Sequence, residues 1–330
     1  MTGIILLLKT NFFLKTIIRS AIGSVASTGF LKFLKEKNFR IIGTDVHEKV
    51  VGKYYVDAFY SVPYASNEKE VIELYNTISK KENAEWIISG PESEVEVLIK
   101  NRDRLISNVF HLPHKTFELL SNKLSLFKNL KKMDLKTPET SLIEENTYKG
   151  FKGEKVILKP QHGRGSKGVY IVNKNSIPLY LTLLGEERHK YIVQEFINGR
   201  EISVDTLHDF QGKILNVVSR YRLNTESGIS TTSATFRDKK LFDIIKKVSS
   251  RFEFYGANCI QFIKDKNSND YYLTDVNPRF GGGSILSLKA SPTMQSNLSL
   301  LLNNEESGYI YENYDYSIIS MFRGYKEIYI

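Results

Sequence analysis

The sequence predicts an α/β domain with a parallel sheet, followed by an α+β half built on antiparallel strands. Three observations carry this. Over the first third of the chain, short apolar runs alternate with amphipathic stretches, the pattern of a parallel sheet with right-handed crossovers. Near Leu112 the pattern changes. From Lys155 onward, runs rich in Val, Ile and Tyr dominate, as strands require.

The elements follow in order. "KTIIRSAIGS" reads as a strand entering a turn at Gly23-Ser24, and "ASTGFLKFLKEKNF" as an amphipathic helix. Residues Arg40–Val46 form a second strand, "EKEVIELYNTISKKEN" a helix, Ala84–Gly90 a third strand and "SEVEVLIKNRDRLI" another helix. The dinucleotide fingerprint G-x-G-x-x-G is missing after the first strand, so the domain is Rossmann-like without a dinucleotide. "HKTFELLSNKLSLFKNLKKMDLKTPET" reads as helical to about Met133, with Pro138 marking the exit into a loop. Strands are expected at "KVILKP", "GVYIV", "YIVQEFI", "EISVDTLHD", "KILNVVSRYR", "NCIQFIKD" and "YYLTDVNP". Helices are expected near Ser176–Leu184 and Lys239–Phe252, and "SILSLKA" looks helical.

Composition is that of a globular chain of 330 residues, 41% apolar and 25% charged. The net charge of +9 is scattered, with no block of five like charges, so nucleic acid is not an expected partner. The one cysteine, Cys259, forbids an internal disulfide and fits a reducing cytosol. The apolar run before Lys9 has five residues, short of a secretory or membrane-spanning segment, so the expected setting is cytoplasmic, with no membrane contact.

Chemistry gathers at three places. In "VILKPQHGRGSKGVYIV" a strand ends at Lys159-Pro160, then a loop with Gly163, Gly165 and Gly168 follows. Glycine-rich backbone approaches phosphate oxygens closely, and Lys159 and Lys167 add charge; an ordinary mobile hairpin is the plainer reading. In "YIVQEFINGREISVDTLHD", Glu201, Ser203 and Asp205 share one strand face, with Ile202 and Val204 on the other. Those acids face a ribose or a metal, or simply water. The third place is the hairpin of "GANCIQFIKD" and "DYYLTDVNPR" around the turn "KNSN". A turn centred on Ser268 sets Gln261 opposite Asp275 and Cys259 opposite Asn277, so Gln261, Asp275 and Asn277 converge as oxygen donors suited to Mg²⁺. Ile263 and Leu273 are expected on the same face, implying that it is covered. Arg279 continues the face, and Gly281–Gly283 precede a helix whose free amides attract an anion. Elsewhere, His162 is a loop histidine, Cys259 and Trp86 read as core, and Glu92 and Glu94 either cap a helix or meet a substrate amine.

The order Lys123, "LKP…GRGSKG", "VQEFINGREISVD", "IQF" and "DVNPR" resembles the ATP-grasp superfamily, most of all its carbamoyl-phosphate-synthase-like branch. The resemblance covers nearly the whole chain. It implies a Rossmann-like pre-ATP-grasp domain over residues 1–113, then a two-subdomain ATP-grasp fold. The first subdomain, with its glycine-rich flap, spans 114–190, and the second, with the metal site, spans 191–330. It further implies nucleotide contacts at Lys123, Lys159, Gly163, Gly165, Ser166 and Gly168. Glu195, Phe196 and Ile197 meet the adenine, and Glu201 the ribose or triphosphate. Gln261, Asp275 and Asn277 take the magnesium positions, and Arg279 steadies a phosphorylated intermediate, with Lys159 and Asn277 beside it as catalytic groups.

The family often has glutamate at the position of Asp275 and an acid at that of Gln261. One formal anion among the three makes binding of two metals less expected. The full synthase has two tandem ATP-grasp halves and this chain has room for one, so carbamoyl phosphate synthesis is not expected. The expected activity is an ADP-forming carboxylate–amine or ammonia ligase using ATP and Mg²⁺, with Mn²⁺ as an alternative ion. Its partners are small carboxylates and amines, with a homodimer admissible. The alternative is a nucleotide-sensing protein without turnover.

Overall fold

The computed structural model describes residues 15–162, 168–226, 228–324 and 327–329. The N-terminal sheet holds β1 (Thr16–Ser20), β2 (Arg40–Asp45), β3 (Ala58–Ser61), β4 (Trp86–Ile88) and β5 (Asn108–Val109), all parallel, in the order β3-β2-β1-β4-β5. Helices α1 (Ser27–Glu36), α2 (Glu68–Glu82) and α3 (Glu92–Lys100) make the crossovers. The order reverses between β1 and β4, which opens a crevice at their carboxyl ends.

Where one helix is expected up to Met133, there are two, α4 (His114–Ser121) and α5 (Lys123–Lys131). Asn122 breaks the run: its backbone is extended (φ −86°, ψ 107°), and its side chain accepts from the Ser125 amide at 2.9 Å. An asparagine that caps one helix in this conformation cannot continue another.

A small antiparallel sheet follows, β6-β9-β7-β8, from β6 (Thr140–Leu142), β7 (Lys155–Pro160), β8 (Tyr170–Asn173) and β9 (Tyr191–Glu195), with α6 (Ile177–Leu184) beside it. The large sheet has the order β14-β13-β10-β11-β12-β15. It contains β10 (Gly199–His208), β11 (Ile214–Glu226), β12 (Ile229–Phe236), β13 (Gly256–Asp265), β14 (Tyr271–Asn277) and β15 (Ser320–Phe322). Helix α7 (Lys239–Ser249) and the pair α8 (Ser284–Ala290) and α9 (Pro292–Asn303) pack on it. Several elements went unread: β3, β5, β6, β12, β15 and α9. The strands among them are short or polar, and α9 follows α8 after only Ser291.

The apolar core runs through both halves. Trp86 is buried as expected, its indole N–H donating to the Leu302 carbonyl at 2.8 Å. On β10, Ile202 and Val204 are fully buried on one face. Among the described residues no helix is long and apolar enough to cross a membrane.

Candidate active site

The β13–β14 ribbon sets the site. Gln261 pairs with Asp275 and Cys259 with Asn277, the register expected from the turn. A bulge follows: Phe262 pairs with Leu273, leaving Thr274 as the extra residue, its hydroxyl donating to the Gln261 carbonyl at 3.2 Å. The one-residue slip moves every side chain beyond it to the other face. Leu273 therefore lies in the core with Phe262, each 1% exposed, and does not share the face of Asp275 as expected. Ile263 remains on the site face, and that face is half-buried rather than covered.

Gln261, Asp275, Asn277 and Arg279 line one cavity of about 310 Å³. The Asn277 side-chain amide donates to Asp275 Oδ2 at 3.3 Å, and Arg279 Nη2 donates to Asn277 Oδ1 at 3.3 Å. Arg279 Nε is buried without a partner among the described residues.

Lys159, at the end of β7, comes from the other sheet. It is 7% exposed, donates from Nζ to Gln194 Oε1 at 2.7 Å, and stands 5.2 Å from the centre of the Phe127 ring. Burial pushes its pKa down to about 7; the Asp275 carboxylate opposes that shift and Lys123 adds to it. Lys159, Lys123 and Asp275 are thus electrostatic neighbours across the two sheets. Lys123 opens α5, its amide donating to the Gln161 carbonyl at 3.1 Å. A buried ammonium held by a neutral amide is costly, and an incoming anion relieves that cost.

The remaining candidates lie along the same sheets. Glu195 ends β9, and its carboxylate accepts from the Glu139 amide at 3.3 Å. Phe196 is half-buried and Ile197 is buried just beyond it. Glu201 is exposed and pairs with Arg222 at 3.0 Å; both line a groove beside Lys264 and Lys266. Arg222 also lines the cavity of Asp275, so groove and cavity adjoin. Gly168 has φ +70°, and a Cβ there would stand 2.8 Å from the Tyr191 hydroxyl. Gly163, Gly165 and Ser166 lie outside the described residues.

Residues 120–283 match the model of the ATP-grasp domain. Residues 120–283 form an ATP-grasp domain. The chain is 30% identical over 248 residues to an uncharacterized protein of Methanocaldococcus jannaschii, covering 72% of this chain and 60% of that one. It is 22% identical over 276 residues to the carbamoyl phosphate synthase large chain of Clostridium acetobutylicum, covering 78% of this chain and 24% of that one. The N5-carboxyaminoimidazole synthetase of Staphylococcus aureus has the same fold, with a TM-score of 0.71 at 16% identity over 89% of this chain and 78% of that one. The chain thus spans 60% and 24% of the length of these two sequence relatives, less than two thirds of either.

In this ATP-grasp domain the ribbon offers one carboxylate and two amide oxygens. Among the described residues no three His, Cys, Asp or Glu side chains gather as a metal cage. Mg²⁺ takes oxygen ligands, keeps several waters and shares phosphate oxygens. The donor set therefore fits one Mg²⁺ arriving with a nucleotide, and Mn²⁺ accepts the same oxygens.

Other candidates take structural roles. Cys259 is 2% exposed and burial pushes its thiol up to about 12, so it is no nucleophile. Glu94 is buried and accepts from the Tyr75 and Ser89 hydroxyls at 2.6 Å each. It serves the N-terminal domain, not a substrate amine. Asp205 is locked to Arg220 at 2.7 Å, both nearly inaccessible, while Ser284 and Ser287 of α8 donate to the same carboxylate. This explains the glycine run: a Cβ on Gly283 would stand 2.6 Å from Arg220 Nη1, and one on Gly281 would stand 2.8 Å from Cys259 Sγ. Close approach to a buried ion pair, more than an anion-binding helix end, demands glycine here.

Three residues at the site were missed. Arg19 and Arg222 line the cavity. His111 bridges the halves: Nε2 accepts from the Ser89 amide at 3.2 Å, and Nδ1 donates to the Pro278 carbonyl at 3.2 Å. Burial holds its pKa down at about 3, so the ring is neutral. The signal for Arg19 was present: a charged residue inside the apolar strand "TIIRS".

Proposed function

We propose that the protein is an ADP-forming ligase that joins a small carboxylate to an amine or ammonia. The observation carrying this reading is the convergence of Lys159, Asp275, Asn277 and Arg279 from two antiparallel sheets. The triphosphate lies beside Lys123 and Lys159, with the adenine at Glu195–Ile197 and the ribose near Glu201. Gln261, Asp275 and Asn277 hold Mg²⁺, which neutralises charge on the phosphates when bound.

The chain's own work is positioning and charge stabilisation. Lys159 sits poised in a dry environment and regains its charge as phosphate oxygens approach. Arg279, anchored by Asn277 and the Phe280 carbonyl, presents its remaining donors to the substrate carboxylate. That carboxylate attacks the γ-phosphorus, ADP leaves, and the acyl phosphate forms beside Arg279. The amine nitrogen then attacks the acyl carbon, the C–O bond to phosphate breaks, and loss of a proton from nitrogen leaves the amide. His111 holds the Pro278 carbonyl, and through it the start of the Arg279 segment, as a positioning residue.

A screen of ADP release over amino acids, sugar acids and amines, with mass spectrometry of the product, tests this. The reading predicts ADP release that needs both a carboxylate and an amine, with an amide as product. One observation favours a second reading, nucleotide sensing without turnover: Asp275 is the only acid of the three ribbon donors. ATP binding with no ADP release across the screen would establish that reading instead.

A further inference from the structure

The cavity that holds the Asp275 face is lined on its far side by residues of the N-terminal domain, from the end of β1, the start of α1 and the loop before α3. Arg19 lies near the end of β1, beside the crevice where the strand order reverses. It is 7% exposed. Its Nη1 donates to the Ile88 carbonyl at 3.0 Å, its guanidinium carbon lies 5.5 Å from the centre of the Phe30 ring, and Nε has no partner among the described residues. Gly90 gives it room, because a Cβ there would stand 3.1 Å from Nη2.

No ion pair is made by Arg19 among the described residues. Glu94 attracts it through space, but both oxygens of Glu94 are already taken by Tyr75 and Ser89. Burial, with a smaller contribution from Arg279, lowers the pKa of Arg19 to about 10, so it stays charged at neutral pH. A buried guanidinium with spare donors facing a cavity is an anion site.

The lining as a whole agrees. Arg19, Arg222 and Arg279 face it, against the single carboxylate of Asp275. The volume of about 310 Å³ suits a small molecule, at the lower end of ligand pockets of roughly 300–1,000 Å³. Arg222 is paired with Glu201, so Arg19 and Arg279 are the two guanidinium groups of the lining that make no ion pair among the described residues.

We propose that Arg19 forms a subsite for a second anionic group, so that the acceptor is a small dianion held between Arg279 and Arg19. The second group is a carboxylate or a phosphate, since both match the guanidinium fork. This rests on reading the cavity as the acceptor site, and it names the substrate class for that site.

The test is direct binding by calorimetry to the full chain at fixed ionic strength. Succinate and glutarate are compared with butyrate, and phosphoglycolate with glycolate. At least one dianion binds at least tenfold more tightly than its monoanionic partner, and the arm that shows this identifies the second group. Arg19→Met removes the difference while ATP still binds. Equal binding of dianions and monoanions by the wild type overturns the proposal, as does an ATP-binding Arg19→Met chain that keeps the preference. Should Arg19→Met not fold, Arg19→Lys decides: weaker dianion binding at unchanged ATP affinity supports the subsite, and unchanged dianion binding overturns it. Dianion preference without ADP release would sink the ligase reading and keep the subsite; ADP release without the preference would do the reverse.

Discussion

Gln261 and Asp275 stand directly opposite each other on β13 and β14, one step before the bulge that sends Leu273 into the core. The bulge divides the ribbon. On the turn side, Tyr271 and Leu273 anchor it against the core. On the other side, Gln261, Asp275 and Asn277 face the cavity, and Arg279 follows where the strand ends. The polar cluster is thus carried by a paired strand whose opposite face is anchored in the core, the arrangement that positions charge without reorganisation.

Arg279 is expected to act on the reacting carboxylate and not on the nucleotide. Arg279→Ala should lower amide formation by about 10²–10³-fold, the range seen when one preorganised donor is removed. ATP affinity should change by less than about threefold, a factor worth well under 1 kcal/mol. Calorimetry and single-turnover product analysis separate the two; normal turnover in this variant contradicts the role.

The Asp205–Arg220 pair is a stability element beneath the site. Arg220→Leu leaves the Asp205 carboxylate buried with only the serine hydroxyls of α8, at a cost of about 3–5 kcal/mol. Gly283→Ala crowds the guanidinium and should cost about 1–3 kcal/mol. Urea denaturation measures both. A loss below about 1 kcal/mol for Arg220→Leu would mean that the pair is not the anchor that the geometry indicates.

Acid stability should depend on His208. The ring is fully buried, stacked on Phe254 with 5.2 Å between centroids, and Nε2 lies 2.9 Å from the Ser249 hydroxyl. Burial holds its pKa at about 3, against about 6.5 when unfolded. Between those values the unfolded chain binds a proton that the folded chain refuses, so stability falls as the pH drops through that window. From pH 7 to pH 5 His208 accounts for a loss of about 2 kcal/mol. Denaturation of His208→Gln at both pH values should show the gap narrowed by about that amount; an unchanged gap means that His208 protonates in the native state.

Much of this site was legible in the sequence, because strand periodicity and a short turn fix which residues face each other. Gln261, Asp275 and Asn277 were placed by that argument alone. Leu273 was misplaced because a bulge adds one residue without any mark such as glycine; Thr274 reads as an ordinary strand residue. The helix break at Asn122 was missed since "SNK" lies inside an unbroken apolar period. Arg19, Arg222 and His111 come together only through packing between distant segments, which no local pattern records. The glycines before α8 were read for their amides, whereas Arg220, remote in sequence, sets the need for them.

The central claim is that the ribbon carries a divalent cation to a bound triphosphate. Titration of ATP into the wild type and Asp275→Asn, with and without Mg²⁺, tests it most directly. The account predicts that Mg²⁺ tightens ATP binding at least tenfold in the wild type, about 1.4 kcal/mol, and that the variant loses this gain while still binding free ATP. An Asp275→Asn chain that keeps the full Mg²⁺ effect would contradict it.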